Sequence, residues 1–157
     1  MSKPRIVVSR CLGFEACRYN CNIIDVSWRS ELEKIADVIN VCPEVMAGLD
    51  TPRLPINLFR KDGKVHVIQD ETGSDYTDKL DDVSKEFLST IGKVDGFILK
   101  SQSPSCGLGT TKIRFGDSIY IASGVFAKMA MDLHSDAVFV DETILNEDGV
   151  EAFIKSL

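Results

Sequence analysis

Three cysteines, Cys11, Cys42 and Cys106, share a local setting that suits metal chemistry. Each follows a short apolar run and precedes a turn-forming stretch. The third lies in Ser101-Gln102-Ser103-Pro104-Ser105-Cys106-Gly107, where small and turn-forming residues crowd around one thiol. Pro104 lacks an N–H and cannot extend a strand. Gly107 lets the backbone turn tightly, or approach a ligand closely, beside the thiol. The cysteine count of five is odd, lacks the dense spacing of a secreted disulfide scaffold, and includes no Cys-x-x-Cys. Thiols drawn from distant parts of the chain can hold a metal ion or an iron–sulfur cluster and leave one coordination position open to substrate. On the residues alone, separate buried cysteines account for the pattern equally well.

Periodicity predicts the elements that would position these thiols. Arg5-Ile6-Val7-Val8-Ser9-Arg10 is β-branched and apolar and predicts a first strand. From Ser27, a candidate N-cap, Trp28, Leu32, Ile35 and Ile39 recur at helical spacing. A short strand precedes Cys42-Pro43. Residues 46–57, with two prolines and no period, predict an ordered loop. Leu58-Phe59-Arg60 and Lys64-Val65-His66-Val67-Ile68 flank an Asp62-Gly63 turn and predict a hairpin. A second helix starts near Asp75 or Thr77, carries Leu80, Val83, Phe87 and Ile91 on one face, and stops at Gly92. A strand over 94–100 delivers the Cys106 loop. Lys112–Phe115 and Ser118–Ile121 predict another hairpin. Ser123-Gly124-Val125 opens a helix through Leu133, and such a helix start could bind an anion. Its apolar residues wrap most of the circumference, which predicts burial on several sides. Ala137–Val140 is a further strand. Asp148-Gly149-Val150-Glu151 resembles a capping box for a last amphipathic helix.

Alternating strands and helices predict an α/β fold: one domain over residues 1–157, a mainly parallel sheet with helices on both faces, and inserted β-hairpins. In such sheets ligands bind beyond the carboxyl ends of the strands. Cys11, Cys42 and Cys106 would then project from one edge. A net charge of −6 disfavours indiscriminate nucleic-acid binding. No apolar run approaches the ~18 residues that span a bilayer. The few apolar residues after Met1-Ser2-Lys3-Pro4-Arg5 are too short for a signal-peptide core, so a cytoplasmic location is expected.

Several stretches, taken in order, resemble the 2-thiouracil desulfurase family. They are Ser9-Arg10-Cys11-Leu12, Cys17-Arg18-Tyr19-Asn20, Val41-Cys42-Pro43-Glu44-Val45, Gly48-Leu49 with Pro52-Arg53, and Lys100-Ser101 with Ser103-Pro104-Ser105-Cys106-Gly107. The resemblance implies a Rossmann-like domain with a 4Fe–4S cluster on Cys11, Cys42 and Cys106 and one open iron. It implies a reaction that removes sulfur from a thiolated pyrimidine, giving the oxo base and sulfide. The family's acidic catalytic residue falls on Glu44 and its catalytic serine on Ser103. These assignments make chemical sense. Thiocarbonyl sulfur is soft and suits iron, and a carboxylate beside a ligand can serve as general base toward water. Ser103 would orient substrate or pass a proton. Lys100, Ser101 and Arg53 are the expected substrate contacts, with Lys100 and Arg10 also placed to offset cluster charge. Cys17 fits the family pattern, whereas Cys21 stands where glycine is expected; the pair could form a reversible disulfide. Neither His66 nor His134 is expected to ligate metal. Two other readings stay open: desulfuration of thiouridine within tRNA, and a structural zinc domain with Cys17 or Cys21 as fourth ligand.

Overall fold

The computed structural model describes residues 2–15, 18–20, 24 and 26–157. Four strands form a parallel sheet: β1 (Arg5–Ser9), β2 (Asp37–Val41), β6 (Gly96–Leu99) and β9 (Val138–Asp141), in the order β2-β1-β6-β9. The chain leaves β1 for β2 on one side and later returns to place β6 on the other. The carboxyl ends of β1 and β6 therefore flank a topological switch point, where open α/β sheets bind ligands.

Side-chain alternation sorts the core onto the two faces of this sheet. Ile6, Val8 and Ile98 pack with Leu32, Leu145 and Phe153, which come from α1 (Arg29–Ile35), α5 (Glu142–Asp148) and α6 (Val150–Ser156). Val7, Phe97 and Leu99 pack with Leu88 of α3 (Thr77–Thr90) and with Phe126, Ala127 and Ala130 of α4 (Val125–Leu133). Phe97 and Phe139, in register on neighbouring strands, stack at 4.7 Å. Helices thus cover both faces, as expected.

The hairpins do not join that sheet. Strands β3 (Ile56–Lys61), β4 (Lys64–Gln69), β5 (Ser74–Asp75), β7 (Thr111–Phe115) and β8 (Ser118–Ala122) build a second sheet in the order β5-β4-β3-β7-β8. A parallel β3–β7 contact joins the two hairpins, a pairing that no local pattern signals. Asp62 and Gly63 both adopt positive φ, +54° and +74°, as a two-residue hairpin turn requires. Leu58, Val67 and Ile113 of this sheet pack on Leu80 of α3. The amino-terminal half of α3 thus serves the second sheet, and its carboxyl-terminal half serves the first.

Three local expectations need correction. The first helix ends at Ile35; Ala36 is extended, and Ile39 belongs to β2, because the β-branched run Val38-Ile39-Asn40-Val41 pairs with β1. Trp28, not Ser27, occupies the N-cap position of that helix, without a side-chain cap. The capping box at Asp148 does not form: Gly149 is the N-cap of α6, with no side-chain cap. The capped helix is instead α5, which the sequence reading missed. Asp141 Oδ1 there accepts from Thr143 N at 3.0 Å and Ile144 N at 3.2 Å. Among the described residues no helix is long and apolar enough to cross a membrane.

Candidate active site

Each thiol is placed by the end of a parallel strand. Past β1, Arg10 N still donates to Val41 O (2.8 Å), after which Leu12 N turns back to Ser9 O and closes a turn around Cys11. Past β2, Cys42 is extended and becomes the N-cap of α2 (Pro43–Met46), with Pro43 in the first turn, where its missing N–H costs nothing. This single turn follows the strand directly and aims Glu44 inward. Past β6, the Lys100–Gly107 loop brings Cys106. All three cysteines are unbridged and buried, at 9%, 9% and 4% exposure, and all line one cavity of about 290 Å³. Glu44, Arg53, Lys100, Ser101 and Ser103 line the same cavity. The three thiols, Glu44, Ser103 and the expected substrate contacts, from stretches far apart along the chain, therefore meet at one place.

The loop after β6 is held through its backbone amides, which donate to side-chain oxygens. Lys100 N donates to Ser9 Oγ (2.9 Å) and Gln102 N to Thr110 Oγ1 (2.9 Å), and Gln102 sits at φ +63°. Ser103 Oγ accepts from Ser105 N (3.2 Å) and Cys106 N (3.0 Å). The far side of the loop is fastened by α4. Gly124 N, Val125 N and Ala127 N donate to Gly107 O, Pro104 O and Ser105 O. The helix start thus caps itself on loop carbonyls instead of an anion, which corrects the expectation for Ser123-Gly124. Gly107 has no positive φ. Its requirement is closeness, since an added Cβ would overlap Thr111 Oγ1.

Glu44 and Ser103, the expected catalytic pair, are joined by a residue the sequence reading gave no role. Ser105 Oγ donates to Glu44 Oε2 at 3.0 Å and lies 3.1 Å from Ser103 Oγ. A hydroxyl has one proton to donate. Since that of Ser105 goes to Glu44, the Ser103 hydroxyl donates to Ser105. Arg53 holds the other carboxylate oxygen, with Nε and Nη2 at 3.2 and 3.1 Å from Glu44 Oε1 and both side chains largely buried. Its guanidinium thus lines the cavity mainly as the partner of Glu44. Lys100 Nζ folds back on Ser101 O (2.7 Å) and Oγ (3.2 Å).

In a chain of net charge −6, the described residues of the cavity wall include four cations, Arg10, Arg18, Arg53 and Lys100, against the single carboxylate of Glu44. That balance suits an anionic occupant or deprotonated thiols. Burial pushes the Cys106 thiol up to about 12, helped by Cys42 and Glu44 nearby and opposed by the Ser9 and Ser105 hydroxyls beside it. A thiol in that setting stays protonated unless a metal takes the proton's place. Among the described residues no group of three His, Cys, Asp or Glu could hold a single metal ion. One ion at 2.3 Å per sulfur draws three thiolates within roughly 4 Å of one another, whereas a four-iron cluster is larger and asks its thiols to stand further apart. The donor set, three soft thiols around a roomy cavity, fits such a cluster.

His66 lies 3.9 Å from Asp75, and His134 Nε2 contacts Leu88 O at 2.8 Å; neither lines the cavity. Cys17 and Cys21, with the disulfide and the fourth-ligand readings that depend on them, lie outside the described residues.

The fold and site define a Rossmann-like α/β domain with a cysteine-lined cavity at the carboxyl edge of its parallel sheet. Residues 6–142 match the model of the 2-thiouracil desulfurase family. The chain belongs to that family and is an enzyme of its kind. A solved structure titled [4Fe-4S]-dependent thiouracil desulfidase TudS superposes with a TM-score of 0.75 and 28% identity, over 99% of this chain and 100% of that one. An uncharacterized protein of Bacillus subtilis (strain 168), YbbK, is 31% identical over 114 residues, 66% of this chain and 74% of that protein.

Proposed function

We propose that the chain removes sulfur from a small thiolated pyrimidine, with a 4Fe–4S cluster held by Cys11, Cys42 and Cys106 and one iron left open to substrate. The observation that carries this reading is the meeting of three buried, unbridged thiols with Glu44 and the serine loop at one cavity. When bound, the cluster supplies a soft Lewis acid that polarises the C–S bond and takes up sulfur without net redox change.

The chain's own residues do the rest. Pro43, Pro55, Ile56 and Tyr19 are among the apolar residues of the wall against which a planar ring can lie. Lys100 and Ser101 offer donors to a ring oxygen. The water that replaces sulfur must lose a proton, and Glu44 Oε2 is the base that receives it. Arg53 holds Oε1 and so keeps Oε2 turned toward Ser105. Ser103 Oγ and Ser105 Oγ connect the loop to that oxygen, so a proton leaving Ser103 Oγ passes to Ser105 and on to Glu44. The two backbone N–H groups on Ser103 Oγ favour the moment when that oxygen has lost its proton. Buried thiols without a disulfide suit the reducing cytoplasm, where we place the protein. The substrate range is proposed as free base or nucleoside, with tRNA as the competing substrate to test.

Protein prepared without oxygen should be brown, with roughly four irons and four sulfides per chain. Cys106→Ser should lose both iron and turnover. Glu44→Gln should keep its iron and lose turnover by about 10²–10⁴-fold. Zinc in place of iron, or full activity in Glu44→Gln, sinks the assignment. Thiouracil, thiouridine monophosphate and thiolated tRNA assayed side by side identify the substrate.

A further inference from the structure

Two consecutive buried acids stand at the end of β9, Asp141 at 8% exposure and Glu142 at 5%. Asp141 serves its own helix as N-cap of α5. Glu142 does not. Its two oxygens accept from Ser101 N at 2.9 and 3.0 Å, and Oε1 lies 3.7 Å from Lys100 Nζ. The register explains the meeting. The last paired residues of β6 and β9 are Leu99 and Asp141, so Lys100 and Glu142 are the next along, leaving the sheet together at its carboxyl edge.

A carboxylate removed from water is strongly unfavourable unless it finds donors and a countercharge. Here the donor is a backbone amide of the site loop and the countercharge is a cation of the cavity wall. The amides of Lys100, Ser101 and Gln102 are each held by a side chain, those of Ser9, Glu142 and Thr110. Of the three, Glu142 alone brings a charge.

We propose that Glu142 is a positioning residue of the site: it clamps the Ser101 amide and holds the Lys100 ammonium at the cavity wall. It thereby fixes both the direction in which the loop leaves β6 and the place of the cation that meets the substrate. Glu142 acts through Lys100 and touches no reacting atom. The part that concerns substrate rests on Lys100 being a substrate contact.

The test is a double-mutant cycle of Glu142→Gln and Lys100→Met on cluster-loaded protein with 2-thiouracil, together with amide hydrogen exchange over residues 100–106 in the cluster-free chain. Glu142→Gln should raise KM about tenfold, as loss of a charged hydrogen bond does, with kcat within about twofold. Iron content should stay unchanged. Lys100→Met should raise KM similarly, and the double variant should be no worse than Lys100→Met alone. The Ser101 amide should exchange faster in Glu142→Gln and not in Lys100→Met. If the two KM effects multiply, or if Glu142→Gln lowers Tm and iron together while KM stays put, Glu142 is structural and the proposal fails. Lys100→Met leaves Glu142 paired with the Ser101 amide, so it carries the KM prediction by itself even where Glu142→Gln folds poorly. If the wild-type chain does not turn over thiouracil, the functional reading fails, and the exchange measurement still decides whether Glu142 holds the loop.

Discussion

The two sheets of this molecule are built on opposite terms. At the centre of the parallel sheet all four residues of β6 and four of the five in β1 are buried, so both faces of these strands are committed to packing. Chemistry is left to the strand ends, and the thiols stand there. In the second sheet β7 and β8 keep one face open, with Ile119 and Ile121 more than half exposed. This sheet places Ile56 on the cavity wall but none of the thiols. Its larger contribution is indirect. From β8 the chain passes through Ser123 and Gly124 into α4, whose first N–H groups fasten the cysteine loop. A sheet buried on both faces gives precise strand ends, and a half-open sheet beside it gives a brace.

The sharpest way to break that division lies at the brace. A β-carbon on Gly124 would stand 2.6 Å from the carbonyl of Ser105 and 2.7 Å from Pro104 O, and backbone cannot give way as a flexible side chain can. Gly124→Ala should shift the loop, lower iron per chain and cut turnover by about 10²-fold, since misplacements of about 1 Å cost that much. Iron analysis and single-turnover rates check it; a fully loaded, fully active variant would show that the helix start does not brace the site. A smaller effect on activity is expected from the core of the second sheet. Leu58, 1% exposed, should lose about 2–5 kcal/mol of stability as Leu58→Ala, read by urea unfolding, while kcat per folded chain holds. A fall in kcat matching the fall in stability would make the two sheets one catalytic unit.

The smallest effect is electrostatic and confined to the second sheet. The Thr77 hydroxyl, then the Thr77 backbone N–H, with lesser help from His66 and Lys64, holds the Asp75 carboxyl below its usual 3.8. A depressed folded-state value means the stabilisation is present above that pH and is lost as pH falls through the folded value. Asp75→Asn should therefore lower the urea midpoint slightly at neutral pH, the gap should close below about pH 4, and turnover should not change. A gap that persists in acid would assign the effect to packing.

How much could be read beforehand varied with the range of the interaction. Hairpins with their own turn, such as Asp62-Gly63, were legible because turn and strands are neighbours in the chain. From sequence alone the first helix runs past its true end, since Ile39 lies four residues beyond Ile35 and mimics a helical face. Only pairing with β1 makes it a strand. Helix α5 leaves no mark in the sequence because its seven residues, Glu142–Asp148, are mostly polar, with only Ile144 and Leu145 to show a helical period. With α5 went Glu142.

What the sequence determined by itself was the kind of chemistry: soft thiols after short apolar runs, a carboxylate one residue past Cys42-Pro43, and serines crowded before Cys106. Residue type and local spacing are covalent facts, and they survive any fold. Only the tertiary structure decided who touches whom. It set Ser105 between Ser103 and Glu44, turned Arg53 onto that carboxylate, and brought Glu142 to the loop after β6. These contacts join residues that sequence places far apart, and they depend on which strands lie side by side and where each one stops. That outcome follows from the packing of whole faces, which no single stretch of chain contains.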